Sequence, residues 1–369
     1  MKVLHIEAGK NLYGGALQVL YLLNELKAQH GDKIENSLIC PVGCDLAERA
    51  SAVAQVFPMK MGGDLDIGLK SRIAAVIADI QPDLVHVHSR RGADIWGLFA
   101  ARSANVPVVC SRRVDNPEPA WLAKWKYHKY NKVVSISEGI RQVLLSEGVA
   151  PEHVICVHSA VDTQQYAPLS DVQIQATEAS WFRTEFGLND DALVIANFAQ
   201  MIERKGQINL IDAFASLHQA HPKARLMLFG KGGKLDDYKA HAAQCGVADK
   251  VLFPGFRNDI ARILPHIDVV AHPATMEGLG VALLQSAAAC VPIVATAAGG
   301  IPEIVADQEN GFLIDVGDTA ALAIQLQLLL DDADLRMTQG LNGRKKVLEQ
   351  FSIPAMAAGN YRVYQELLR

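Results

Sequence analysis

The sequence predicts an α/β protein of two doubly wound, Rossmann-like domains, each a parallel sheet with helices on both faces. Three observations carry that expectation. Short apolar runs of strand length alternate with amphipathic helical segments through both halves of the chain, the pattern of parallel strands joined by helical crossovers. The alternation lapses once, in the polar stretch "TQQYAPLSDVQIQATEAS" that follows Asp162. And 369 residues exceed what a single core ordinarily serves.

Taken in order, Val3–Ile6, Asn36–Cys40, Asp83–His88, Pro107–Cys110 and Lys132–Ile136 read as buried strands of a domain over residues 1–165. Helices are expected from near Ala16 and over about Leu69–Asp79, each after a turn rich in glycine or aspartate. Residues 166–190 read as a connector with a lead-in helix. Leu193–Phe198, Arg225–Phe229, Lys250–Phe253, Val269–His272 and Pro292–Ala295 repeat the strand pattern in a second domain over residues 191–350, with a helix from near Gln207. Ligands of such sheets sit beyond the carboxyl ends of the strands, so the chemistry is expected in the loops that follow them, along a cleft between the domains.

Composition narrows the classes of function. The residues are 50% hydrophobic and 20% charged with a formal net charge of -5, so no basic footprint for nucleic acid exists. Six cysteines are scattered, and the close pair Cys40 and Cys44 lacks a second Cys/His pair at zinc-ligand spacing, which predicts reduced structural thiols. The opening "MKVLHIEAG" is strand-like and too short for a signal sequence, and no apolar run reaches membrane-spanning length, which points to the cytoplasm. Asp64-Leu65-Asp66 has the spacing by which some sugar-nucleotide enzymes hold a divalent metal. It stands just ahead of a helix, where aspartates serve as capping and turn residues, so no metal and no other cofactor is expected.

The loops of the first half carry glycines and cations. "GKNLYGGAL" has the outer glycine spacing of a phosphate loop but Gly15-Ala16 where Lys-Ser/Thr would grip phosphate, and it lacks the dinucleotide fingerprint. Gly14 and Gly15 at a helix start suit a phosphate or an acceptor, or form a plain tight turn. In "VHVHSRRGAD", His86 and His88 share one strand face, where one is expected to be a core histidine; His88, nearer the carboxyl end, is the site candidate. Arg90 and Arg91, with Arg112 and Arg113 after the next strand, place four guanidinium groups on neighbouring loops, which suits an anionic ligand, a structural role for one or two paired with Asp94 or Asp115, or merely solvated loops. "WLAKWKYHKYNK" interleaves aromatics with four lysines. It suits an anionic bilayer surface, though a helix half in the core and half in solvent is preferred.

In the second half, Lys205-Gly206 directly precedes a helix, a point charge beside unpaired N–H groups, with Arg204 able to add a fork. "FGKGGK", which contains Gly230, and "GGIPEI" are glycine turns after strands. "TMEGLGVALLQ" sets a carboxylate, Glu277, before the turn Gly278-Leu279-Gly280 and opens a helix that carries Gln285 eight positions on. If most of that span is helical, the two side chains lie about 10–12 Å apart.

These pieces, in this order along nearly the whole chain, resemble the family 4 (group 1) retaining glycosyltransferases of the glycosyltransferase B architecture. Gly14-Gly15 resembles the family's N-terminal glycine loop, "VVSISEGI" its Val-x-x-Ser strand, and Lys205-Gly206 its diphosphate lysine. The stretch "DVVAHPATMEGLGVALLQSAAACVPIVATAAGGIPEIVADQENGFLI" is similar to its signature block, and "FSIPAMAAGNYRVYQELL" (Phe351–Leu368), within residues 351–369, to the terminal helix that returns to the first domain. The resemblance implies that Glu277 binds hydroxyls of the donor sugar, that the glycine turn and the following helix hold a diphosphate, and that position 285 holds the ribose. The chain departs from the pattern at Gln285 and Gln200, where the family has glutamate and arginine, at Arg113 in place of a histidine, and at Ser159-Ala160 in place of Asn-Gly.

The expectation is therefore a metal-independent retaining glycosyltransferase. Glu277, Lys205, Arg204 and His88 would be catalytic, and Gly14, Gly15, Gln200, Gly230, Gly278, Leu279, Gly280 and Gln285 would bind a nucleotide-diphosphate sugar. Arg90, Arg91, Arg112 and Arg113 would bind a glycan or lipid-linked acceptor of anionic character, as in lipopolysaccharide or capsule-like envelope synthesis, with association at the inner face of the cytoplasmic membrane as a further reading. A catalytically weak paralogue that binds sugar nucleotide or glycan is the alternative; an epimerase or phosphorylase lacks its motifs.

Overall fold

The computed structural model describes every residue except Tyr13 and Arg91. The chain divides into two compact units, Met1–Ala160 with Ile353–Arg369, and Val161–Ser352. In the first, strands β1 (Lys2–Ile6), β2 (Glu35–Pro41), β3 (Gln55–Met59), β4 (Leu84–Val87), β5 (Val108–Arg112), β6 (Lys132–Ser135) and β7 (Val154–Cys156) alternate with helices α1 (Gly15–His30), α2 (Asp45–Ala50), α3 (Gly68–Ile80), α4 (Ala93–Ser103), α5 (Ala120–Tyr127) and α6 (Glu138–Ser146). Every pairing is parallel and the order is β3-β2-β1-β4-β5-β6-β7. The winding reverses between β1 and β4. A crevice opens at such a point because the connections leave in opposite directions.

In the second unit, α7 (Val172–Phe186) leads in. Asp171 caps it by accepting from the N–H groups of Gln173 and Ile174, and Gly187 ends it in the left-handed region. Then follow β8 (Leu193–Phe198), α8 (Gln207–Leu217), β9 (Ala224–Phe229), α9 (Leu235–Gln244), β10 (Val251–Gly255), α10 (Ile260–Ile263), β11 (Val269–His272), α11 (Val281–Ala288), β12 (Ile293–Thr296), α12 (Ile301–Ile304), β13 (Gly311–Ile314), α13 (Thr319–Asp331) and α14 (Ala333–Gln350). The parallel order β10-β9-β8-β11-β12-β13 reverses between β8 and β11. Leu210, Ile211, Phe214 and Leu217 repeat at helical spacing on α8 and are buried against Leu226 and Leu228 of the sheet. Each buried side chain of this kind stabilises the fold by about 1.5–3 kcal/mol, and Phe214→Ala would cost about 3–5 kcal/mol.

Residues 353–367 form α15 (Ile353–Leu367). Its Met356, Ala357, Val363 and Tyr364 pack with Val3, Leu22, Leu84 and Val109 of the first unit. The strands expected from the sequence are present within one to two residues of their bounds, and three more appear, β3, β7 and β13. No described helix is long and apolar enough to cross a membrane, and none of the six cysteines is in a disulfide bond.

Candidate functional site

In the second unit, the loops after β8, β11 and β12 meet at the reversal point and are tied through their backbones. The Thr275 N–H donates to the Arg204 carbonyl at 2.9 Å, and the Gly300 N–H donates to the Glu277 carbonyl at 3.1 Å. Two glycines make this approach possible. A Cβ on Gly206 would stand 2.0 Å from the Pro273 carbonyl oxygen, and one on Gly299 would stand 1.9 Å from that of Glu277; both residues have left-handed backbone angles.

The result is a fixed carboxylate. Lys205 Nζ donates to Glu277 Oε2 at 2.5 Å, and His272 Nε2, at the end of β11, lies 2.9 Å from the same oxygen. Oε1 takes no hydrogen bond among the described residues, so its lone pairs are open to a ligand hydroxyl. Burial by itself would push this carboxyl up, but the hydrogen bonds and charges of His272 and Lys205 outweigh burial and bring it down to about 2. Lys205 is 8% exposed and uses one of its three donors here, leaving others for an anion at the start of α11. His272 escaped the sequence reading because it looks like the last residue of an ordinary buried strand. Its signal was its place at the carboxyl end, five residues before Glu277.

The other donor candidates fall around this core. Gly280 caps α11, and Leu279 is buried, so that only its backbone is available to a ligand. Gln285 lies on α11 and its Nε2 donates to the Tyr166 hydroxyl at 2.8 Å, a partner invisible in the sequence because 119 residues separate the two. Gln200 is exposed, and its carbonyl accepts from Gln207 Nε2. The Gly230 N–H already donates to the Gly255 carbonyl. The Arg204 side chain is exposed beside Lys205.

In the first unit, a cavity of about 930 Å³ lies at the reversal between β1 and β4, lined in part by Glu7, Gly15, His88, Ser89, Arg90 and Arg113. Gly14 is the N-cap of α1. Glu7, which the sequence reading passed over at the end of the first strand, is 3% exposed; its Oε1 accepts from the Gly9 N–H, while Oε2 has no partner among the described residues. Burial raises its pKa, opposed by the charge of Arg113 and the bond from Gly9. Arg113 is held between Ser159 Oγ at 3.4 Å and His88 Nδ1 at 3.5 Å.

His88 sits in a chain of fixed polarity. A guanidinium only donates, so His88 Nδ1 accepts from Arg113 and its proton is on Nε2, which donates to His5 Nδ1 at 2.9 Å; His5 Nε2 then donates to Asn36 Oδ1 at 3.3 Å. An arginine at one end and a carbonyl at the other demand the same direction. Burial lowers both histidines, His5 to about 4, which keeps them neutral. With both ring nitrogens spent, His88 positions Arg113 rather than meeting the reacting atoms. His86, as expected, is a core residue, bonded to the Tyr364 hydroxyl and to Ser111 Oγ.

The four arginines do not act as one group. Arg112 is 1% exposed and pairs with Glu118 Oε1 at 3.0 Å, so its assignment to the acceptor is corrected to a structural one. Arg90 reaches the same carboxylate at 2.5 Å, and buried Lys126 bridges Glu118 and Asp94. Arg91 lies outside the described residues. Lys126 turns inward from α5, whereas Trp121, 74% exposed, and Trp125, 44% exposed, turn outward with Lys124. Asp66 accepts from the Gly62 N–H and from Arg72, the turn role expected of it.

Comparison with known proteins identifies the family and the fold. Residues 181–346 match the family described as "Glycosyl transferases group 1" and residues 13–165 that described as "Glycosyltransferase Family 4". The chain is 34% identical over 298 residues, 77% of this chain and 76% of the other, to the "Putative glycosyltransferase EpsD" of Bacillus subtilis. Over 166 residues, 45% of this chain and 48% of the other, it is 32% identical to the "Lipopolysaccharide core biosynthesis glycosyltransferase LpsE" of Rhizobium meliloti. The crystal structure of Anabaena Alr3699/HepE in complex with UDP and glucose superposes with a TM-score of 0.82 at 20% identity, over 99% of this chain and all of that one.

Proposed function

Because the chain belongs to the group 1, family 4 glycosyltransferases, we propose that it transfers a sugar from a nucleoside-diphosphate donor to an acceptor hydroxyl with retention of configuration and without a metal ion. The observation that carries this reading is Glu277, locked through Oε2 by Lys205 and His272 with Oε1 open. The carboxylate orients the sugar by accepting from its hydroxyls, and the remaining Lys205 donors with the N–H groups at the start of α11 offset the charge that grows on the leaving diphosphate. A carboxyl held at about 2 is a weak base and a poor nucleophile. That favours a front-face route in which the departing phosphate takes the acceptor proton, without a covalent intermediate. Gln285 serves the ribose, steadied by Tyr166.

The acceptor is assigned to the cavity of the first unit, where Arg113 and the exposed part of Arg90 favour a phosphate or carboxylate. Such a precursor fits cell-envelope glycan synthesis of the lipopolysaccharide or capsule kind, and the outward tryptophans of α5 with Lys124 suit the anionic inner face of the cytoplasmic membrane. A donor panel of UDP-, GDP- and ADP-sugars identifies the nucleotide and is run on wild type and Glu277→Gln. The variant is expected to lose turnover by about a hundredfold or more while nucleoside-diphosphate affinity changes by less than about threefold. Transfer is expected to survive a chelator. A folded Glu277→Gln protein with unchanged turnover, or activity abolished by chelator and restored by magnesium or manganese, overturns the mechanism. A wild type that releases no nucleoside diphosphate from any donor points to the binding paralogue instead.

A further inference from the structure

Between α8 and α9, three side chains converge that the transfer site does not use. His241 and Cys245 stand four residues apart at the end of α9 and share one face, and Asp212 of α8 meets both. Asp212 Oδ1 lies 2.6 Å from His241 Nε2 and 3.6 Å from Cys245 Sγ, and Sγ lies 3.6 Å from the same Nε2. All three are partly buried, and among the described residues the carboxylate pairs with the imidazole and the thiol, with no lysine or arginine against it.

This is not the geometry of a nucleophilic triad. A relay needs the carboxylate on one imidazole nitrogen and the thiol on the other, whereas here both partners face Nε2. Burial and the Asp212 carboxylate also raise the thiol's pKa, the opposite of activation. What the three donor atoms have is a common centre. With bonds of about 2.3 Å to sulfur and 2.0–2.2 Å to nitrogen and oxygen, a tetrahedral zinc ion separates sulfur from either by roughly 3.5 Å and nitrogen from oxygen by roughly 3.3 Å. Both sulfur separations already have that value. The nitrogen and oxygen have only to part by about 0.7 Å, which the entry of a cation between them would do.

We propose that Asp212, His241 and Cys245 form a binding site for zinc or a similar thiophilic divalent cation, with solvent as the fourth ligand, that clamps α8 to α9. As the ion enters, the thiol proton leaves to solvent and the imidazole proton, held on Nε2 by the Asp212 carboxylate, passes through solvent to Nδ1; the carboxylate and the thiolate then balance the two positive charges around a neutral imidazole. The site is separate from the transfer chemistry, since Asp212 lies midway along α8 and His241 and Cys245 at the end of α9, whereas Lys205 and Gly230 stand in the turns ahead of these helices.

Cobalt(II) and zinc test this on the full, reduced chain near neutral pH. One cobalt per chain is expected, with a thiolate-to-cobalt charge-transfer band in the near ultraviolet. Zinc should displace it, release about one proton per ion and raise the unfolding temperature. Cys245→Ser should abolish the band, and His241→Gln and Asp212→Asn should each weaken binding by more than the about tenfold that losing an outer-shell partner costs. Alkylation of the wild type, mapped by peptide mass, needs no variant: of the six thiols, zinc should protect Cys245. Absence of the charge-transfer band, its persistence in Cys245→Ser, or equal alkylation of Cys245 with and without zinc would overturn the site.

Discussion

Glu277→Gln keeps the shape of the side chain and removes its charge, and the structure states what that charge is worth to folding. A carboxyl brought from an ordinary 4.5 to about 2 stabilises the folded chain by roughly 3 kcal/mol near neutral pH. Because the folded value is the lower one, this contribution is complete above about pH 4.5 and is lost as the pH falls towards 2, with less than half of it remaining near pH 3. The variant also leaves Lys205, 8% exposed, without its counter-charge. Glu277→Gln is therefore expected to be about 3 kcal/mol less stable than wild type near pH 7. Adding Lys205→Met should restore at least about 1 kcal/mol, since it removes the unpaired ammonium. Urea unfolding of the three proteins at several pH values measures this. The reasoning is refuted if the single variant lies within about 0.5 kcal/mol of wild type, if the gap persists undiminished to about pH 3, or if the second substitution adds its own full cost.

The arginines of the first unit separate by the same logic. Arg112→Gln leaves Glu118 short of its most buried partner and is expected to cost about 2–4 kcal/mol of stability. Arg113→Gln should instead raise the acceptor's KM by roughly tenfold while slow donor hydrolysis continues; a parallel fall in hydrolysis would show that Arg113 serves the diphosphate. Replacing Trp121 and Trp125 together with alanine should reduce co-sedimentation with vesicles rich in anionic lipid. A wild type that ignores such vesicles in low salt removes the membrane reading.

How much of this could be read from the sequence depended on burial. The central strands announce themselves because helices cover both faces, so each is a nearly continuous apolar run such as "LVIANF", broken only by Asn197. The three strands that escaped are all sheet edges: β3 is half exposed and contains Pro58, β7 has three residues and β13 has four. The loop glycines and the charges beside them located Glu277 and Lys205. Their partners were hidden, since nothing local tells that Lys205 and His272 share one carboxylate oxygen, or that Glu118 absorbs Arg112 and Arg90. A cation in a loop advertises charge, whereas whether that charge is spent inside the protein is decided by residues far away in the chain.

The packing of α15 has a consequence for the order in which the molecule matures during synthesis. The unit that carries the cavity between β1 and β4 is begun first, yet Tyr364, whose hydroxyl bonds His86 at 2.6 Å, belongs to a stretch translated after the whole of Val161–Ser352. The unit Val161–Ser352 is one uninterrupted stretch and can close its own core as soon as it emerges, while the earlier unit waits with Val3, Leu22 and Val109 uncovered. A ribosome that stalls within the last helix would thus release a chain in which the unit carrying Glu277 is complete and the other is still open.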